Sequence, residues 1–506
     1  MDTEYVCDPA SKAASTESTS KVTAQDTTCP NNARMAPTSA VRVVSRRVVK
    51  PPPRPRHRIP LTSWDASFLS MNYIQKGLLF ARPPLSAARL LDHLQAALAG
   101  ALADYYPVAG RLATDRHRDD ESGDGVVGCS VSIDCGGQGA EILHAVADGV
   151  TVADVAPHGA DDDVPQVVHS FFPLDGAVSY DGHDLPLFAL QVTELADGVF
   201  LGFACNHALA DGTAFWNVLN AWAEIARARL APAESRGGAP TSRPPPLLEK
   251  WSPDGGAAAA PAVLPCADPS VLVERPPKLP MRERMLRFSP ESVSVLKERA
   301  REELLAAGDT SGAAAMTRFQ ALASLIWRCF ARAWRLAPDQ ETVFRAAIDN
   351  RGRLRPPLPS EYFGNCLDSV STEAVRASEL LARGHGWAAA AVGRAVAAHT
   401  DAVIRERVAA WKAKPTVYTR RWFRPGGVFV GSSPRFDMYG CDFGWGKPLA
   451  VRSGKANKVD GKASLYPGRD GGIDVEVVMT PEHMAALQED DELRAALTPK
   501  AAPGEE

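Results

Sequence analysis

The sequence has few of the features that mark metal-binding, redox or secreted proteins. Its nine cysteines are scattered over 506 residues, and none belongs to a Cys-x-x-Cys pair of the kind found in zinc and dithiol sites. The first forty residues contain no apolar segment typical of a secretory signal. We therefore expect reduced thiols in a cytoplasmic protein without a bound metal.

The chain also lacks an excess of positive charge and long apolar runs. Its 56 Lys and Arg residues are balanced by 60 Asp and Glu residues, which gives a net charge of -4. Nucleic acids and anionic membranes attract clustered positive charge, and a membrane span needs about 20 apolar residues. We expect no nucleic-acid or membrane partner, and predict a small-molecule partner instead.

Two motifs typical of serine hydrolases and of nucleotide-binding proteins are missing as well. The sequence has no Gly-x-Ser-x-Gly, which counts against a serine hydrolase, and no glycine-rich phosphate loop. The hydrophobic content of 45% is nevertheless sufficient for two globular domains in a chain of this length.

Composition divides the chain into four segments. Residues 1–40 are polar and aperiodic, which predicts a disordered tail. Residues 231–280 are rich in Pro, Ala, Gly and Ser and predict a crossover linker between domains at 41–230 and 281–498. Helical and strand patterns alternate in both domains, so the fold class is α/β.

Hydrophobic periodicity and turn residues predict individual elements in both domains. The turn Ala196-Asp197-Gly198 predicts a hairpin within residues 185–209. The predicted helices are Ala87–Leu102, Phe215–Leu230, Pro290–Ala307, Phe319–Ala333 and one beginning after Thr480, and the further strands are Val126–Ile133, Leu286–Phe288 and Ile473–Met479.

A histidine followed four residues later by an aspartate is the main candidate for catalysis. The pattern occurs at residues 144–148, 158–162 and 207–211, so it has little specificity alone. Only His207 ends an apolar strand and precedes a helix, a junction where rigid elements can hold a reactive side chain. The alternatives are a buried core histidine and, for Asp211, an ordinary helix N-cap.

Three ordered motifs give the chain a resemblance to the BAHD family of plant acyl-CoA-dependent acyltransferases. HALADG lies at 207–212, YFGN at 362–365 and DFGWG at 442–446, and the likeness extends from about Val41 to the C-terminal helix. The resemblance implies a monomer of two similar chloramphenicol-acetyltransferase-like α/β domains with mixed sheets. The active site would lie in a channel between them.

The resemblance also implies a reaction of plant secondary metabolism. A hydroxycinnamoyl, acetyl, malonyl or similar acyl group would pass directly from acyl-CoA, a co-substrate, to a hydroxyl or amine of a small molecule, with no permanently bound cofactor. His207 would act as the general base, because a neutral imidazole can remove the acceptor's proton as the new bond forms. We expect Asp211 to support the loop and not to act on the substrate.

DFGWG is predicted to be a structural element. Asp442 can anchor the backbone through charge-assisted hydrogen bonds, and a proton-accepting part for it is the less favoured alternative. The other residues assigned to structural motifs are Gly212 of HALADG and Phe443, Gly444, Trp445 and Gly446 of DFGWG.

Further side chains are candidates for substrate contacts. Arg351 and Arg353 could bind an acidic acceptor, although pairing with Asp211 or Asp442 is favoured. The hydroxyl of Ser432 or Ser433 could donate to the oxyanion or line the acceptor pocket. The alternatives are that backbone amides donate to the oxyanion and that both serines face solvent. The N-terminus of the helix opening at Thr317 is the candidate CoA phosphate site.

Two rival interpretations remain at this point. Cys205 could be a nucleophile that forms an acyl-enzyme, but an isolated cysteine on an apolar strand is usually part of a core. The chain could also be a catalytically weak accessory or interaction protein of BAHD type. Ser433 stands where hydroxycinnamoyl-transferring members often have tryptophan, which counts against shikimate or quinate transfer.

Overall fold

The computed structural model describes most of the chain beyond residue 40. The described ranges are residues 41–118, 126–157, 159, 161–231, 242–253, 261–277, 279–419, 422–423 and 425–497. The predicted disordered tail and His158 lie outside these ranges.

Strands and helices alternate along the described ranges. The strands are β1 Arg42–Val49, β2 Arg58–Pro60, β3 Ile74–Ala81, β4 Arg111–Arg118, β5 Val126–Asp134, β6 Ala140–Val146, β7 Asp161–Asp163, β8 Phe188–Glu194, β9 Gly198–Cys205, β10 Val263–Leu264, β11 Arg282–Phe288, β12 Glu341–Asp349, β13 Leu367–Ser371, β14 Val375–Arg376, β15 Gly427–Gly431, β16 Ala450–Ser453, β17 Lys462–Pro467 and β18 Ile473–Met479. The helices are α1 Ser63–Ala66, α2 Ala87–Asp104, α3 Val152–Val155, α4 Gly212–Leu230, α5 Pro290–Ala306, α6 Thr310–Ala314, α7 Arg318–Ala333, α8 Ala377–Ala382, α9 Gly384–Ala398, α10 Asp401–Ala413, α11 Pro481–Gln488 and α12 Asp491–Leu497.

The first large sheet has the strand order β1-β6-β8-β9-β3-β16 in the described structure. It is mixed, since β6 and β8 run parallel whereas β8 and β9 form an antiparallel hairpin. The leucine stripe of α2 is buried as its spacing predicts, and α2 packs with α4 in the first core. A smaller sheet joins β10, β5 and β2, with β4 on β5.

The second large sheet has the order β13-β12-β15-β17-β18-β11-β7 and is also mixed, because β12, β15 and β17 run parallel. Helices α5, α7 and α9 pack together in the second core. Thr317 caps α7 through a reciprocal capping box with Gln320, which fixes where that helix begins. The predicted α/β class with mixed sheets is therefore confirmed.

The two large sheets exchange strands, which the sequence did not predict. β16, from the C-terminal half of the chain, pairs with β3 in the first sheet. β7, from the N-terminal half, pairs with β11 in the second. Each sheet therefore contains chain from both sides of the predicted crossover.

The described part of the predicted crossover is packed on the protein rather than free. β10 extends the small sheet by pairing with β5, and Leu247 forms a parallel bridge with Tyr362. The crossover also supplies a buried lysine, Lys250, whose ammonium lies 3.0 Å from the carboxylate of Asp65. Among the helices of the described ranges, none combines the length and apolar character required of a membrane-crossing segment.

Candidate active site

His207 lies in the turn between a fully buried strand and a buried helix. β9 ends at Cys205 and α4 begins at Gly212, yet the His207 side chain remains partly exposed. Its ring stacks on Phe68, with centroids 4.0 Å apart and planes 6° from parallel. Its backbone N–H donates to Ser179 Oγ over 3.1 Å. The histidine is thus held in one orientation at the edge of the first core.

Asn365, the last residue of YFGN, holds the turn from the other half of the chain. Its side-chain amide donates to the His207 carbonyl over 2.8 Å and to Asp65 Oδ1 over 2.9 Å. The Asn365 backbone N–H donates to the same Asp65 oxygen, while Lys250 donates to the second one. Segments from α1, the crossover and the C-terminal half therefore meet directly behind His207.

The surroundings keep the imidazole of His207 neutral. Burial lowers the pKa of His207 to about 4, and the nearby Lys462 acts in the same direction. Within the described ranges, the buried Nδ1 atom has no hydrogen-bond partner. A neutral ring can accept a proton at physiological pH, which is the requirement for a general base.

Asp211 is engaged away from His207. Its Oδ1 accepts from the Ala214 N–H at 2.9 Å, so it caps α4, and its Oδ2 accepts from the Cys366 N–H at 2.9 Å. The Arg351 guanidinium donates to both oxygens, at 2.8 and 3.1 Å. The carboxylate therefore caps α4 and anchors Arg351 at the same time.

The two candidate arginines lie in different places. Arg351 is buried, and it also donates to the carbonyls of Tyr362 and Gly364, so it joins YFGN to Asp211. Arg353 donates to the Val396 and His399 carbonyls instead.

The expected pairing of Arg353 with Asp211 or Asp442 is wrong. The side chain is directed to the C-terminal end of α9, where the helix dipole favours a cation. The two arginines are only two residues apart, and spacing alone could not separate an ionic anchor from a helix-end ligand.

DFGWG forms a tight loop that packs into the first core. Asp442 Oδ1 accepts from the Gly444 and Gly446 N–H groups at 2.8 and 3.0 Å. Both glycines have φ of +110°, a conformation that favours glycine. The buried Phe443 ring lies edge-on to Trp222 and stacked on Trp445.

The loop that contains the two candidate serines covers the start of α4. A Cβ on Gly212 would lie 2.8 Å from the Phe436 ring, so this glycine permits close packing of the loop. Ser432 has φ of +64°, and its buried Oγ has no partner within the described ranges. Ser433 Oγ instead accepts from the Arg435 N–H. Of the two hydroxyls, Ser432 is the one without a structural partner.

Thr317 is exposed, and its side chain is used within its own helix. Its Oγ1 accepts from the Gln320 N–H, while Gln320 Oε1 accepts from the Thr317 N–H at 2.6 Å. Two amides at this helix start are therefore already paired, which reduces what remains for a phosphate. CoA binding at Thr317 stays a prediction.

Cys205 has the environment of a core residue. It is buried at the end of β9, and burial raises the pKa of its thiol, which disfavours the thiolate that a nucleophile needs. Among the described residues, no group of three or more His, Cys, Asp or Glu side chains is placed to hold a metal ion.

Sequence reasoning missed several residues of the site. YFGN indicated the segment but gave no role to Asn365, and nothing in the sequence pointed to Phe68 or Lys462. The spacing of Thr62 and Asp65 was a readable signal, because it matches the capping box that they form before α1.

A family model, curated relatives and a solved structure each match most of this chain. A model of the Transferase family matches residues 39–494. An uncharacterized acetyltransferase of Arabidopsis thaliana is 34% identical over 448 residues, which cover 86% of this chain and 94% of the relative. The BAHD acyltransferase DCR of the same plant is 33% identical over 456 residues, 87% and 89% of the two chains. The crystal structure of vinorine synthase superposes with a TM-score of 0.64 at 20% identity, covering 90% and 98%.

Proposed function

Because this chain belongs to the Transferase family of BAHD acyltransferases, we propose that it moves an acyl group from acyl-CoA to a hydroxyl or amine of a small plant metabolite, with His207 as general base. The observation that carries this assignment is a neutral, partly exposed imidazole at a rigid strand-to-helix turn. Asn365 and Phe68 fix its position from behind and from the side.

During the reaction His207 takes up one proton and then gives it away. As the acceptor oxygen or nitrogen attacks the thioester carbonyl, His207 takes its proton and a tetrahedral oxyanion forms. The oxyanion collapses, the carbon–sulfur bond breaks, and the CoA thiolate takes the proton from the imidazolium. The Ser432 hydroxyl is our candidate donor to the oxyanion, because it is buried and without a structural partner in the described ranges.

Direct transfer requires both substrates to be bound together. Initial-rate plots should therefore intersect, whereas an acyl-enzyme on Cys205 would give the parallel lines of ping-pong kinetics.

We propose a monomer in the cytoplasm, consistent with the sequence composition. An accessory role would not require a histidine whose backbone, ring and protonation are all controlled.

The test is acyl-dependent release of free CoA thiol in the presence of pooled plant phenolics and amines, with products identified by mass. His207→Ala should lower the rate by about two to four orders of magnitude, the usual contribution of a general base. Cys205→Ala is the matched control two residues away and should retain most of the activity. Activity of His207→Ala above about a tenth of wild type would contradict the assignment.

A further inference from the structure

An ionic cluster, buried in part, lies where the two large sheets exchange strands. We define it by three lysines, two glutamates and a tyrosine drawn from both halves of the chain. Its members are Lys76 on β3, Glu283 on β11, Lys458 before β17, Lys462 and Tyr466 on β17, and Glu476 on β18.

Lys458 contacts both carboxylates, and Lys76 reaches Glu476 only through the Tyr466 hydroxyl. Lys458 lies 3.1 Å from Glu283 and also forms an ion pair with Glu476. Lys76 donates to the Tyr466 hydroxyl over 2.7 Å, and that hydroxyl donates to Glu476 over 3.1 Å. Three lysines therefore share two carboxylates, one of which, Glu283, also contacts His169.

Lys462 is the third cation and has no carboxylate partner among the described residues. Its ammonium donates to the backbone carbonyl of Asn457 over 2.7 Å. Burial lowers the pKa of Lys462 well below its usual value, and the charges of Lys76 and Lys458 lower it further. The charged form of Lys462 is therefore unfavourable until an anion arrives with a ligand to stabilise it.

Several contacts place Lys462 beside the catalytic turn. A Cβ on Gly431, the residue before Ser432, would lie 3.8 Å from Lys462 Cε. Asn457, which accepts from Lys462, exchanges hydrogen bonds of 3.2 and 3.1 Å with Asn72. Asn72 follows shortly after Phe68, whose ring stacks on His207. Lys462 therefore lies between the serine loop and the segment that packs on the proposed base.

The surroundings of Lys462 are accessible. Its side chain and that of His207 are both partly exposed, whereas Lys458 is buried. A cavity of about 210 Å³ adjoins the segment, with Asn72, Asn457 and Val459 in its lining. Because both side chains are partly exposed and lie close enough for the charge of Lys462 to lower the pKa of His207, a substrate bound at His207 can place a further group against Lys462.

We propose that Lys462 binds a carboxylate carried by the substrate, either on the acyl chain or on the acceptor, and so makes the enzyme selective for carboxylate-bearing substrates. A carboxylate fits better than a phosphate, because the single positive charge of a protonated Lys462 balances one negative charge and the nearby Glu283 and Glu476 would repel a dianion. This inference rests on the proposed function, since it places the carboxylate on a molecule that also reaches His207.

Binding calorimetry tests the inference without requiring turnover. One arm compares malonyl-CoA with butyryl-CoA, and the other compares 4-hydroxyphenylacetate with its methyl ester in the presence of CoA. The wild type should bind the carboxylate member of one pair about ten-fold or more tightly, as expected for a charge-assisted hydrogen bond. The arm that shows the preference identifies which substrate carries the carboxylate.

Lys462→Gln should abolish that preference and leave the affinity for the neutral member unchanged, because glutamine can still donate to the Asn457 carbonyl. Lys455→Gln removes the same charge from an exposed lysine that lines the neighbouring cavity, and it should keep the preference. A wild type without preference in both arms, or a Lys462→Gln variant that keeps it, overturns the inference. Failure of the proposed function would appear separately, as undiminished turnover in His207→Ala.

Discussion

Arg351 binds both carboxylate oxygens of Asp211, 140 residues away in the sequence, at 2.8 and 3.1 Å. Both side chains are buried, and the negative charge of Asp211 raises the pKa of Arg351. The pair joins the first turn of α4 to the turn after β12. It fixes the turn that contains His207 relative to the C-terminal half of the chain.

Asp211→Asn should therefore destabilise the protein. Removing one partner of a buried ion pair leaves an uncompensated charge, which typically costs about 3–5 kcal/mol. Thermal and denaturant unfolding would measure the loss, and turnover per folded molecule should fall much less than in His207→Ala. Asp349→Asn is a matched control, because this aspartate also contacts Arg351 but is half exposed. An Asp211→Asn protein of normal stability without activity would indicate a chemical role.

The pH profile of kcat/KM should reflect the lowered pKa of His207. With a pKa of about 4, nearly all of the imidazole is neutral at pH 6. An ordinary histidine, with a pKa near 6.5, would be only about one quarter neutral. The rate should stay level from pH 7 to about pH 5 and fall only below that, while tryptophan fluorescence confirms that the protein remains folded. A fall centred near pH 6.5 would contradict a base with a lowered pKa.

The pH dependence of the free energy of unfolding should also reflect the lowered pKa of His207. Because the folded-state pKa of His207 lies below the unfolded value, the unfolded chain binds more protons between about pH 6.5 and pH 4. This histidine's contribution is therefore lost as the pH falls through that window. Acidification through this window should therefore destabilise the wild type more than His207→Gln. A difference independent of pH would mean that the ring is ordinarily solvated.

The two glycines of DFGWG form a matched pair for substitution by alanine. Both have φ of +110°, so each alanine should cost about 1–3 kcal/mol through backbone strain. At Gly444 a Cβ would also lie 2.7 Å from Leu230, whereas nothing described lies within 4 Å at Gly446. Gly444→Ala should thus lower the melting temperature more than Gly446→Ala. Activity should follow the folded fraction, and selective loss of turnover at full stability would argue for a catalytic part for this loop.

Ser432 and Ser433 allow the oxyanion assignment to be tested with adjacent residues. Ser432→Ala should lower kcat by about 100-fold or more if its hydroxyl is the donor, the typical cost of one such donor. Ser433→Ala should leave kcat nearly unchanged, since that hydroxyl accepts a hydrogen bond within its own loop. Equal rates for both variants would assign the oxyanion to backbone amides instead.

The sequence alone determined the local elements and the identity of the candidate base. The α2 leucine stripe, the β8–β9 hairpin and the Thr317 cap depend on residues a few positions apart, which is why periodicity and capping patterns located them. The turn at residues 207–211 could be identified because its strand and helix adjoin it in the chain.

Only the tertiary structure decided what surrounds that base. Asn365, Arg351 and Lys462 reach the site through contacts between segments more than one hundred residues apart, and no local pattern encodes such distances. The strand exchange of β7 and β16 was hidden for the same reason, because pairing partners satisfy backbone hydrogen bonds irrespective of side-chain identity. Whether Arg351 or Arg353 met Asp211 depended on the direction of one turn, which only the packed chain sets.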